Sequence, residues 1–131
     1  MSTTREPLIP GPDHPITIKP FAGRVTVTAG DVKVADTAAA LELRESTYPP
    51  VYYVPLADVD STVLKPTDTS TYCPYKGDAS YYSVVASAEG QAVEDAVWHY
   101  EHPYPSVAEI ADHVAFYTDR VEVSAQPEPG A

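Results

Sequence analysis

Apolar and polar residues alternate along most of this chain in short runs cut by proline and glycine, a pattern that predicts strands rather than helices. Ile16-Thr17-Ile18 alternates up to Pro20, and after Gly23 the run Arg24-Val25-Thr26-Val27-Thr28 does so again. Ala29-Gly30-Asp31 then turns the chain into Val32-Lys33-Val34-Ala35, a hairpin signal with valines on one face of both strands. Asp36 and the alanines after it would suit a helix start. Leu41-Glu42-Leu43-Arg44-Glu45, however, alternates with period two and predicts a strand. Val51-Tyr52-Tyr53-Val54-Pro55, rich in β-branched and aromatic residues, predicts the next. Leu56 to Val59 suits one helical turn, 61–66 an extended piece and 67–70 a loop.

Cys73-Pro74-Tyr75-Lys76-Gly77 predicts a fixed turn, because proline sets one φ angle and glycine admits a left-handed or crowded position. Ala79 to Ala86 and Ala92 to Glu101 read as strands joined by a Glu89-Gly90-Gln91 tip, with Pro103 and Pro105 ending the second. Ser106 and Glu109 have capping-box spacing for a short helix. Val114 to Tyr117 and Arg120 to Val123, with Thr118-Asp119 between them, predict a closing hairpin. The sum is a mostly β protein, α+β at most. It has about eight or nine short strands in one antiparallel barrel-like or sandwiched body, with one or two short helices. The globular domain is expected over 15–123, between a flexible arm at 1–14 and a disordered tail at 124–131.

Composition narrows the partners. The formal charge is −11, with eight scattered Lys and Arg residues, so binding driven by phosphate neutralisation is disfavoured and no nucleic-acid partner is expected. One cysteine makes no intrachain disulfide. No apolar run approaches the roughly 20 residues of a membrane span. The start of the chain shows no basic stretch followed by an apolar one. A cytoplasmic protein without a membrane partner is the expectation. No second cysteine or close His-x-His completes a metal set, so neither metal nor cofactor is expected.

Several segments together resemble a known family. They are Val34-Ala35-Asp36-Thr37, Glu45, Tyr48-Pro49, Tyr53-Val54-Pro55, Asp58-Val59, Thr71-Tyr72-Cys73-Pro74-Tyr75-Lys76-Gly77, Ala79-Ser80-Tyr81, Ala96-Val97-Trp98, Tyr100, Pro103 and Ala115-Phe116-Tyr117. This set resembles the small bacterial family catalogued as domain of unknown function 427, over nearly the whole folded body. The resemblance implies a compact, mostly β domain. It also brings a nucleotidyltransferase-like label, although the chain has no Gly-Ser pair followed by spaced aspartates to hold magnesium and no phosphate-cradling glycine loop.

The candidate chemistry gathers around the central turn. By strand parity Glu45 points the same way as Leu41 and Leu43, into the interior, where it and Asp78 are candidate partners for Lys76. An inward carboxylate beside a lysine suits acid-base catalysis and equally suits a structural ion pair. Cys73 is either a second-line nucleophile activated by Lys76 or a buried small hydrophobe. Tyr53, Tyr72, Tyr81, Trp98 and Tyr100 are candidate walls of a ligand pocket, competing with a plain core role. His99 and His102 give a weak metal or base signal, and His14 and His113 read as surface residues. These features favour a small enzyme doing isomerase, cyclase or hydrolase chemistry on a small polar or aromatic molecule. The alternatives are a binding module whose tyrosine-rich face contacts another protein or a second copy in a homodimer, and a nucleotide-handling transferase.

Overall fold

The computed structural model describes residues 8–30, 32–85 and 92–127. Among them ten strands form two antiparallel sheets: β1 (Ile16–Pro20), β2 (Gly23–Ala29), β3 (Val32–Thr37), β4 (Leu41–Glu45), β5 (Val51–Pro55), β6 (Leu64–Cys73), β7 (Gly77–Val85), β8 (Ala92–His99), β9 (His113–Phe116) and β10 (Glu122–Pro127). Seven of them run in the order β1-β4-β5-β9-β8-β7-β6, and the other three in the order β10-β2-β3. The larger sheet stays open, so of the two expected architectures the sandwich describes the molecule. The helical segments are 3-10 turns: Leu56–Asp58, Ser61–Val63 and Pro105–Ile110.

Side-chain parity builds the two-layer core. Along the larger sheet Val54, Val97, Val114 and Phe116 face the smaller sheet, where Val25, Val27 and Val34 meet them with no exposed surface on any of these three. Their neighbours Tyr53, Trp98, Ala115 and Tyr81 point to the opposite face, with Leu43, and are covered there by Val107 and Ile110 of the last 3-10 turn. A strand buried on both faces loses the clean apolar–polar alternation, and the Val51–Pro55 run does so. Each fully buried valine contributes about 1.5–2 kcal/mol of hydrophobic stabilisation.

Several local expectations change. Residues 67–70 are not a loop but part of β6, whose register with β7 slips between Pro66 and Ser70. Thr67 and Thr69 each donate a hydroxyl at 2.7 Å to the Asp95 carboxylate, and these bonds hold a polar stretch extended. Asp95 itself has φ of +50° and its N–H donates to Ser83 Oγ, beside the slip in the β7–β8 register. The expected closing hairpin does not exist: β9 pairs with β5 and β8, whereas β10 crosses to pair with β2. That crossing makes Ser124 to Pro127 a strand rather than the start of a disordered tail. Ser106 caps nothing; Tyr104 is the N-cap without a side-chain bond, and Pro105 opens a 3-10 turn kinked at Val107. The Glu89-Gly90-Gln91 tip lies outside the described residues.

One irregularity lies beside the cavities described below. β5 pairs with β9 only at Val54–Val114 and Pro55–His113. Beyond them Val51 to Tyr53 pair with β4, and Ala115 and Phe116 pair with β8. The β5–β9 ladder therefore stops at Val54–Val114, next to Ala115, the β9 partner of Trp98.

Candidate functional site

The central turn forms as its residues require. Cys73 and Gly77 face each other across it, the Lys76 N–H donates to the Cys73 carbonyl, and Gly77 takes φ of +111°, a conformation that side chains disfavour. The turn drives Lys76 inward, to 7 % exposure. β4 brings Glu45 to meet it on the face shared with Leu43, and Lys76 Nζ donates to Glu45 Oε1. Ser46, next in the chain, bends it away at φ of +52° and donates its N–H to the Pro15 carbonyl at 2.8 Å.

The second carboxylate oxygen of Glu45 is also occupied. His14 Nε2 lies 2.7 Å from Glu45 Oε2, and the His14 ring stacks on Tyr75 with centroids 4.2 Å apart. The expected surface role of His14 thus gives way to a place beside the central pair. Leu8 donates its N–H to the Pro74 carbonyl and Gly11 pairs with His14, so residues 8–14 lie against the turn. Burial works to raise the Glu45 pKa, but hydrogen bonds from Lys76 and His14, with their charges, outweigh it and hold the carboxyl below its usual range.

Glu45 and Lys76 open onto a cavity of about 340 Å³ that Tyr53, Tyr81, Trp98 and Tyr100 also line, with Thr71 and Tyr117. Tyr81 Oη is 2.9 Å from Thr71 Oγ1 and 3.3 Å from Tyr117 Oη. Burial pushes the Tyr53 and Tyr100 phenols far up and Tyr117 up to about 12, so all three stay protonated at neutral pH. The chamber therefore combines an ammonium, a carboxylate and several phenolic O–H groups with aromatic walls. Such a set can donate hydrogen bonds to a ligand oxygen on one side and accept a proton on the other.

Two expected site residues fall elsewhere. Cys73 packs against the core cluster of Leu43, Tyr53 and Tyr81 and does not line the cavity. Tyr72 leaves the cavity as well and places its hydroxyl 2.9 Å from that of Tyr104. His99 stacks on Tyr82 at 4.9 Å on the other side of the sheet, where burial lowers its pKa. Among the described residues no three of His, Cys, Asp and Glu stand close enough to hold a metal ion, and no helix is long and apolar enough to cross a membrane.

Sequence reasoning missed His14, Thr71 and Tyr117. His14 is 31 positions from Glu45, and Tyr117 is 36 from Tyr81. No local pattern announces such contacts. Residues 17–127 match the profile of a family described as a domain of unknown function (DUF427) and labelled NTP_transf_9. No curated protein matches the chain. The match covers most of the chain, which therefore belongs to the DUF427 family.

Proposed function

We propose that this DUF427 protein is an enzyme that binds a small carbonyl compound in the chamber around Lys76 and moves a proton on it, in isomerase-type chemistry. One observation carries the reading: the Lys76–Glu45 pair, with its lysine buried, faces a cavity that the protonated phenols of Tyr53, Tyr100 and Tyr117 also line. The carbonyl oxygen takes hydrogen bonds from the Lys76 ammonium and a phenol. Glu45 removes a proton from the carbon next to the carbonyl, and the C–H electron pair moves onto that oxygen as an enolate held by Lys76. Return of the proton to the same or a neighbouring carbon completes an exchange or an isomerisation.

The pair also explains how a carboxylate with a lowered pKa becomes a base. Burial alone would raise the Glu45 pKa, and the bond from Lys76 is the strongest influence against it. A ligand that draws Lys76 toward its own oxygen weakens that influence, so Glu45 gains basicity when substrate is bound. No metal is needed for this step, since donor and acceptor are the chain's own groups.

The test is deuterium wash-in from D2O into acetophenone and 2-butanone, followed by proton NMR, with melting temperature as the binding readout. The wild type should accelerate exchange, and folded Glu45→Gln and Lys76→Met variants should lose on the order of 10² of that rate. Variants that fold and still bind and exchange every probe as the wild type does would overturn the proposal. The family label directs attention to nucleotide transfer instead. Stabilisation by a nucleoside triphosphate that requires magnesium would favour that reading over this one.

A further inference from the structure

A second cavity, of about 370 Å³, lies on the other face of the seven-stranded sheet, between the two sheets, and Val25, Val54, Phe116, Val123 and Ala125 form its interior. It adjoins the first. Tyr48, Pro49, Val51, Trp98 and Tyr117 line both. They stand beyond the last β5–β9 pair, on the wall between an apolar chamber and the one that holds Lys76 and Glu45. Tyr48, 64 % exposed, forms the lip common to both.

We propose that the ligand of this protein is amphipathic, with its carbonyl head beside Lys76 and a compact ring or a short alkyl chain passing the Trp98–Tyr117 contact into the apolar chamber. The head rests on the function proposed above, whereas the tail rests on the geometry of the second chamber. A dry apolar cavity of about 150 Å³ suffices for benzene, so this chamber, at about 370 Å³, has room for a larger group. Its deep walls are aliphatic and aromatic, and Thr118 and Asp119 lie at the 117–119 loop. A charged or sugar-like tail would find no deep partners there, and a hydrocarbon tail would lose its water without losing hydrogen bonds. Trp98 and Tyr117 have ring centroids 4.5 Å apart and meet at 43°. They offer flat surface to a chain or ring passing between the chambers.

The experiment titrates the 2-alkanones from 2-butanone to 2-nonanone into the wild type and into Ala125→Trp, Thr118→Trp and Lys76→Met, with affinity read by ligand-observed NMR. In the wild type, Kd should fall about fourfold for each methylene added until the chamber is full. Ala125→Trp fills the chamber from β10, and Thr118→Trp does so from an exposed loop position that leaves the sheets untouched. Either variant should flatten the series beyond the length at which the new ring is met. A wild-type series with no dependence on chain length, or a slope that both folded variants leave intact, would overturn the inference. Lys76→Met separates this from the function above. A weakening common to every ketone with the slope retained supports both. A retained slope with no common weakening supports the tail site and removes the carbonyl head. A flat series with the common weakening removes the tail site alone.

Discussion

Replacing Glu45 by Gln should reveal whether the central pair behaves as a buried, coupled unit. Lys76 is 7 % exposed, and Glu45 supplies its one ion pair among the described residues. Breaking a buried pair from one side costs about 3–5 kcal/mol. The Glu45 side chain retains 17 % exposure and a glutamine oxygen still accepts a bond, so the low end applies, about 3 kcal/mol. At about 2.1 cal/mol/K per residue over 131 residues, that loss lowers Tm by roughly 11 °C. Lys76→Met should cost about half as much, because Glu45 keeps His14. The double variant leaves neither charge stranded, so it should recover about 2 kcal/mol of the summed losses.

Urea unfolding at neutral pH measures all three variants, and repetition in acid adds a second check. The folded pKa of Glu45 lies below its unfolded value near 4.5, so its contribution is present above that value and is lost as pH falls through the folded one. The gap between wild type and Glu45→Gln should therefore close below about pH 4.5. Additive losses, or a gap that does not change with pH, would refute a buried and coupled pair.

Spectrophotometric titration should show Tyr53, Tyr100 and Tyr117 failing to ionise in the usual phenol range, and unfolding in urea should release them. The folded pKa of His99 lies below 6.5, so the unfolded chain binds the extra proton and stability drops as pH falls through that value; His99→Gln should flatten this part of the stability profile measured by urea unfolding. Gly77→Ala puts a side chain at φ of +111°, with its Cβ 3.4 Å from the His102 carbonyl oxygen. A loss of about 1–3 kcal/mol in the same assay, with weaker ligand binding as Lys76 is displaced, is expected.

Short-range patterns were sufficient for most of the β content. Alternation placed the valines of β2 and β3 together, and parity put Glu45 on the same face as Leu43, because both follow from the two-residue repeat of an extended chain. Cys73 to Gly77 announced a tight turn by proline and glycine alone. Family membership was legible in the same segment.

Pairing of neighbours was legible in β2–β3 and β7–β8, but pairing of strands far apart in the chain was not, since those partners are chosen by burial and not by neighbourhood. Val114 to Val123 reads as a hairpin, yet β9 lies in the middle of one sheet and β10 at the edge of the other. The sequence by itself determined strands, turns and the inward direction of a carboxylate. Only the tertiary structure brought His14 from 31 positions away onto that carboxylate, turned Cys73 out of the cavity and ended the β5–β9 ladder at Val54–Val114. Each of these depends on contacts between segments far apart in the chain, and no local preference encodes such contacts.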